Sequence, residues 1–204
     1  MLTLFIGLYL ALANYFKGVL KIHSIIHCVS ATLFGTYLFY ISNISIFSIS
    51  FCSEVIKTEN FNNFLYVNNS LGYFIADSID IFLDWKNVKR RVFLLHHVSA
   101  IIGILTGGSS LVAYAIWALE IGGVVHHLKH ASEVYNFNSN IKSLIFSIYF
   151  IVYSFTRILL FLNCNSCLIN NSLTGYQLIG VFMSYILILQ NAIWLMQNLL
   201  KLSN

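Results

Sequence analysis

Seven apolar runs, separated by short stretches where Lys, Arg, Asn, Ser or Gly gather, make up most of the chain. They extend from Leu2 to Phe16, Ile22 to Ser45, Phe64 to Trp85, Val92 to Thr106, Leu111 to Leu128, Leu144 to Leu162 and Leu173 to Leu199. None shows the period-two alternation of a membrane-barrel strand, and most approach the roughly 20 residues a helix needs to cross about 30 Å of hydrocarbon. The pattern predicts an all-α, polytopic membrane protein of six to seven transmembrane helices. The first and fourth runs are short, which suits either a re-entrant segment or a thinned patch of bilayer. With no repeat, no low-complexity segment and no room for a soluble unit, residues 1–204 read as one transmembrane domain.

Composition removes the alternatives. Of 204 residues, 58% are hydrophobic and 9% charged, where a soluble domain carries about a quarter charged residues. A disordered tail is excluded by the apolar runs, and a nucleic-acid partner by the lack of Lys/Arg blocks. Without Pro, no span carries a proline kink. The net charge of +4 reads as a topology signal: Lys17, Lys21, Lys86, Lys89, Arg90, Arg91, Lys129, Lys142 and Lys201 fall on one face of a seven-span arrangement, against Lys57 on the other. Positive charge marks the cytosolic side, so the N-terminus is expected in the lumen and the C-terminus in the cytosol.

Smaller signals agree with that orientation. Ala11-Leu12-Ala13 resembles a signal-peptidase site, yet no positive charge precedes it, so the first run reads as an uncleaved anchor. The sequons Asn68-Asn69-Ser70 and Asn170-Asn171-Ser172 fall on the expected lumenal face. Cys164 and Cys167 share that face, where an oxidising lumen allows them to pair; Cys28 and Cys52 sit within and near the end of a span.

Ionisable residues inside the runs are the candidate chemistry, since a charge in hydrocarbon costs about 2.5–3.5 kcal/mol even on lenient scales. Asp77, Asp80 and Asp84 follow one another by single turns on the third run, so neighbouring carboxylates are expected to stay protonated or to pair with bases. All seven His fall at the expected cytosolic ends of spans: His23 and His27, His96 and His97, His126, His127 and His130. Glu120, Gly123, His127 and His130 share one helical stripe, with Gly122 and Gly123 expected to leave open space beside it. A cytosol-facing cavity lined by imidazole and carboxylate is expected, in which Asp77, His97 and Glu120 meet. His23, His126 and His130 are expected at the interface, Arg157 is expected to snorkel, and Gln190, Asn191 and Gln197 to bind helices together.

Ser24-Ile25-Ile26-His27, Gly72-Tyr73-Phe74-x-x-Asp77, Leu95-His96-His97, Leu119-Glu120, Phe155-Thr156-Arg157-Ile158 and Leu189-Gln190-Asn191 with Trp194 and Lys201 arrive in the order found in TLC-domain membrane proteins. From His23 to Lys201 the chain resembles that family, which includes ceramide synthases and lipid-homeostasis proteins. The resemblance implies a TLC-type helix barrel with a cytosol-facing cavity, in the endoplasmic reticulum or a related endomembrane. The chain keeps the paired histidines of the ceramide-synthase branch but has Glu120 where that branch has His-Asp, and it lacks the second Asp. That places it nearer the branches that are not ceramide synthases.

Three functions follow as expectations. The first is lipid handling or homeostasis, with acyl transfer as the candidate reaction: His96 or His97 would be general base or acyl acceptor, and Asp77, Asp80 or Glu120 would orient it. His27, His127, Tyr73, Arg157, Asn191 and Trp194 would bind substrate or support the site. Membrane lipids are the expected partners, with acyl-CoA as a candidate substrate, no nucleic acid, no cofactor, and self-association left open. The second is a non-enzymatic lipid sensor, cargo receptor or membrane chaperone. The third is a histidine-box di-metal oxygenase, echoed by His23-x-x-x-His27 and His126-His127-x-x-His130. The reversed box order argues against it, and no metal is expected.

Overall fold

The computed structural model describes residues 1–16, 21–43, 61–107, 109–169 and 175–200. Lys17, Cys52, Lys57, Lys201 and the sequon at 170–172 lie outside the described residues. Among the described residues every regular element is helical and there is no strand: α1 (Leu2–Tyr15), α2 (Ile22–Ile41), α3 (Phe61–Leu83), α4 (Val88–Thr106), α5 (Ser109–Val134), α6 (Ser139–Ser154), α7 (Phe161–Ile169) and α8 (Gly175–Leu200). A π-helical turn, Phe155–Leu160, joins α6 to α7, so these form one rod.

Four helical stretches are long and apolar enough to cross a bilayer: Ile22–Ile41, Leu111–Val134, Ser139–Cys167 and Gly175–Leu200. Helix α1 is equally apolar but has 14 residues, roughly 21 Å of helix. Helices α3 and α4 have the length, but α3 is diluted by Asn and Asp and α4 begins with basic residues. Large apolar side chains such as Leu33, Leu105, Ile151 and Phe182 are exposed on the outside, as expected where lipid is the solvent. The architecture is that of a polytopic membrane protein.

Helix boundaries follow from local chemistry. Asn136 has φ 49°, the left-handed conformation that Asn tolerates and that ends α5; the Phe137 N–H then reaches back to the Ser132 carbonyl at 3.1 Å. Two residues on, Asn138 caps α6 by accepting from the Ile141 N–H at 2.9 Å. The result is a tight antiparallel hairpin.

Helix α5 lies at the centre, packed against α2, α3, α4, α6, α7 and the π turn. Its segment from Leu111 to Gly123 is buried at every position except the half-buried Ala115 and Ile121, which is what a helix apolar around its whole circumference requires. Small residues set the crossings. A side chain at Gly35 would come within 2.6 Å of Trp117 of α5, and one at Gly72 within 2.5 Å of Phe5 of α1.

Candidate functional site

The end of the bundle where α1, α3 and α5 finish and α2 and α4 begin carries two linked polar clusters. The first is built on Asp77 of α3, 2% exposed. Its Oδ1 lies 3.0 Å from Nε2 of His23 on α2 and 3.3 Å from Nζ of Lys21, the residue that precedes α2; its Oδ2 lies 3.5 Å from His97 Nε2 of α4, and Arg90 Nη2 approaches to 3.9 Å. Arg90 also binds Asp80 and, at 3.1 Å, Asp84. The acidic stripe is therefore matched by bases from two neighbouring helices, which offsets the cost of burying it.

The second cluster is built on Glu120 of α5, 3% exposed. Its Oε2 accepts from the Cys28 thiol at 2.8 Å, while His27 Nε2 stands 3.7 Å from Oε1, within ion-pair range and too long for a hydrogen bond. Tyr73 joins the clusters. Its ring stacks on His27 with centroids 4.0 Å apart, lies 6.1 Å from His97, and its hydroxyl donates to Ser24 at 2.9 Å. Tyr9 of α1 closes the group with its hydroxyl 3.5 Å from His27 Nδ1 and donating to Asn69 at 3.1 Å. A vestibule of about 1000 Å³, lined by Lys21, His23, Asp80, Asp84 and Arg90 among apolar residues of α1 and α3, opens beside Asp77.

The π turn supplies the remaining charge. A π turn widens the helix by one residue and re-aims its side chains; here Arg157 is directed into the bundle, 8% exposed. Its Nε donates to the Leu119 carbonyl at 2.8 Å, its Nη1 to Asn191 Oδ1 at 3.1 Å, and its guanidinium lies 5.2 Å from the Tyr153 ring. Asn191 also accepts from the Tyr153 hydroxyl at 2.8 Å.

The family model named TLC domain matches residues 19–199. The chain belongs to the TLC-domain family. No curated protein and no solved structure matches it. Membership of the TLC-domain family carries integral-membrane character and, in general terms, a lipid-related function.

In this TLC domain, Asp77, His97, Glu120, His27 and Tyr73 come together, with Asp80 at the vestibule. The paired histidines diverge: His96 is buried but turned toward Trp194 of α8, ring centroids 5.4 Å apart, and toward Phe74. His127 packs on His126 at 5.9 Å and is half-buried, while His130 is exposed. The stripe from Glu120 therefore leaves the interior after Gly123.

Several expectations are corrected. His23 is 4% exposed and bonded to Asp77 rather than placed at the interface; it lies one turn before His27 on the same face, a spacing the sequence shows. Arg157 does not snorkel. Gly122 and Gly123 leave no open space, because Arg157 lies where a side chain at Gly122 would go, 2.6 Å from its Cγ, and Cys28 Sγ lies 2.7 Å from a side chain at Gly123. Cys164 is a free thiol and Cys167 is disulfide-bonded, so the two are not paired. The sequon at Asn68 lies inside α3 with Ser70 fully buried, which removes it as an acceptor in the folded chain. Lys21, Arg90, Cys28, Ser24 and Tyr9 are additions. The sequence marked Lys21 and Arg90 only as topology signals, because their pairing with the acidic stripe needs three helices to meet.

Among the described residues, His23, Asp77 and Asp80 alone offer three ligand atoms within 4.8 Å of one another. Lys21 and Arg90 already bring positive charge to these carboxylates. No such group joins histidines of the two box-like motifs.

Proposed function

We propose that this TLC-domain protein handles a membrane lipid at the Asp77–His97 pair, and that its reaction is acyl transfer from acyl-CoA to a lipid amine or hydroxyl. The observation that carries the reading is the buried His97, whose Nε2 faces Asp77 at 3.5 Å while its Nδ1 has no partner among the described residues. A carboxylate at one ring nitrogen favours the tautomer that leaves the other nitrogen as a base. In the proposed step the acceptor's O–H or N–H gives its proton to His97 Nδ1. Its oxygen or nitrogen then bonds to the thioester carbonyl, the C–S bond breaks, and the proton passes to the departing CoA thiolate. His23 and Lys21 hold Asp77 in place; Glu120, His27 and Tyr73 form the adjoining wall. In this reading six to seven spans form a TLC-type barrel in the endoplasmic reticulum or a related endomembrane, opening to the cytosol through the vestibule at Lys21 and Arg90.

Purified protein in lipid nanodiscs, given acyl-CoA with a sphingoid amine or a lysolipid, tests this by thiol release and product mass spectrometry. His97→Ala is expected to lower turnover about a hundredfold or more, and Asp77→Asn to lower kcat while leaving the product unchanged. Absence of acyl transfer by folded wild-type protein to either acceptor would overturn the reaction.

One observation favours a second reading. Asp77 has basic partners from two neighbouring helices at once, a tie that needs no turnover. A non-enzymatic lipid sensor, cargo receptor or chaperone would use the same residues as a brace. His97→Ala would then lower thermal stability and leave every lipid product unchanged.

A further inference from the structure

Apart from the vestibule, a second cavity of about 710 Å³ lies where α5 and α8 end and α4 begins, in the gap between α5 and α8. These two helices do not pack against each other. Helix α4 closes the back of the gap, tied to α8 by Gln190 Nε2, which donates to the Val92 carbonyl at 3.0 Å, and by the Phe93 and Trp194 rings, 5.0 Å apart. The volume falls within the roughly 300–1,000 Å³ of ordinary small-molecule sites. Along α8 the lining runs from Ile186 to Asn198, a rise of roughly 18 Å, against about 15 Å for the hydrocarbon of one leaflet.

The two ends of this cavity differ. Leu95, Ile186 and Leu189 line its inner part, and Leu95 and Leu189 are exposed on the outside of the bundle. Lys129, Glu133, Gln197 and Asn198 line its outer part, in the last turns of α5 and α8. Water fills a polar mouth well, but not an apolar stretch whose flank opens to hydrocarbon; a chain belongs there. One molecule that fills both parts is an amphipath with a polar head. Charge decides which head. Among the described residues lining the cavity, Lys129 and Glu133 are the Lys, Arg, Asp or Glu, one of each sign, with Lys129 Nζ 2.7 Å from Glu133 Oε1. An anionic head drawn to Lys129 meets Glu133 beside it, and a cationic head drawn to Glu133 meets Lys129. A head with both charges, phosphate toward Lys129 and ammonium toward Glu133, is complementary to both. Glu133 is exposed, and an exposed pair of this kind is opened at little cost.

We propose that this cavity is a binding site for a zwitterionic phospholipid of the adjoining leaflet. Its head lies between the last turns of α5 and α8, one chain runs inward past Leu189 to Ile186, and the other chain stays in the bilayer. The orientation is the natural one for an amphipath, with the head at the helix ends and the tail toward mid-membrane. The site is separate from the Asp77–His97 pair and does not depend on acyl transfer there.

Wild-type protein in detergent, mixed with equal amounts of phosphatidylcholine, phosphatidylglycerol and diacylglycerol carrying identical chains, tests this by native mass spectrometry. One phosphatidylcholine per chain is expected, retained about five-fold over either competitor, the upper worth of one exposed charge pair. Glu133→Lys, a change at an exposed position, should turn the preference to phosphatidylglycerol. In nanodiscs, a phosphatidylcholine with a diazirine beside its glycerol should label peptides holding Lys129 to Glu133 or Ile193 to Asn198 above those of α2 and α6. Equal retention of the three lipids by the wild-type chain, a Glu133→Lys chain that still prefers phosphatidylcholine, or label spread evenly around the bundle, the mark of an annular lipid only, would overturn the proposal. The three-lipid comparison and the labelling map need no variant to fold.

Discussion

Gly122 and Gly103 look alike in the sequence, each a glycine in an apolar helix, yet their surroundings are opposite. A Cβ at Gly122 would lie 2.6 Å from Arg157 Cγ and 2.9 Å from both Arg157 Nε and Thr156 Oγ1. Gly122→Ala must therefore push Arg157 off the Leu119 carbonyl, and overpacking of this kind costs about 1–3 kcal/mol. Thermal unfolding in detergent should show a clear loss for Gly122→Ala and none for Gly103→Ala, whose Cβ meets nothing within 4 Å. Equal melting temperatures for the two variants would refute the close approach. This contrast was not legible in the sequence: the rule that glycine leaves space says nothing about which neighbour takes it, and here an arginine from another helix does. Asp77 was more readable, because a carboxylate deep in an apolar run must find a base wherever the chain provides one.

At the scale of helices, spacing gave the runs correctly but not their mutual faces. The π turn shows why. A period of 3.6 residues carried through Phe155–Leu160 leaves Arg157 free to reach toward the membrane surface; widening that turn sets it against α5 and α8 instead. The seam it makes is testable through Asn191, whose Oδ1 receives both the Tyr153 hydroxyl and Arg157 Nη1. Interhelical hydrogen bonds in membranes are worth about 0.6 kcal/mol each on average. Tyr153→Phe should cost near that value. Asn191→Leu should cost more, because it leaves a guanidinium N–H and a phenol without their acceptor inside the bundle. A double-mutant cycle in detergent is expected to give a coupling of the same sign, and additive effects would show that the hydroxyl and the amide do not interact. Asn191 was read from the sequence as a residue that joins helices, and the structure gives it that geometry. His23 was misplaced because nearness to a helix end says nothing about what packs over that end.

Across the whole molecule, charge and contact converge on one end of the bundle. Lys21 meets Asp77 at 3.3 Å, Arg90 meets Asp84 at 3.1 Å, and Lys142 reaches Asn136 in the α5–α6 turn at 2.7 Å. Lys129 lines a cavity with Val92 at the start of α4 and Asn198 near the end of α8. The described Lys and Arg other than Arg157 thus gather where α2, α4 and α6 begin and α3, α5 and α8 end; the turn between α4 and α5 carries neither. Positive charge is retained on the cytosolic side of a membrane because translocating it is unfavourable. Asn87, exposed in the α3–α4 turn, should therefore face the cytosol and Gly175, exposed at the start of α8, the lumen. In sealed microsomes, a membrane-impermeant maleimide should label Asn87→Cys at once and Gly175→Cys only after permeabilisation, each read above the wild-type chain labelled in parallel, in which native Cys28 and Cys164 are buried. The reverse pattern would put the vestibule beside Asp77 in the lumen, where a cytosolic acyl-CoA cannot enter it. Acyl transfer at His97 would then fail on access alone.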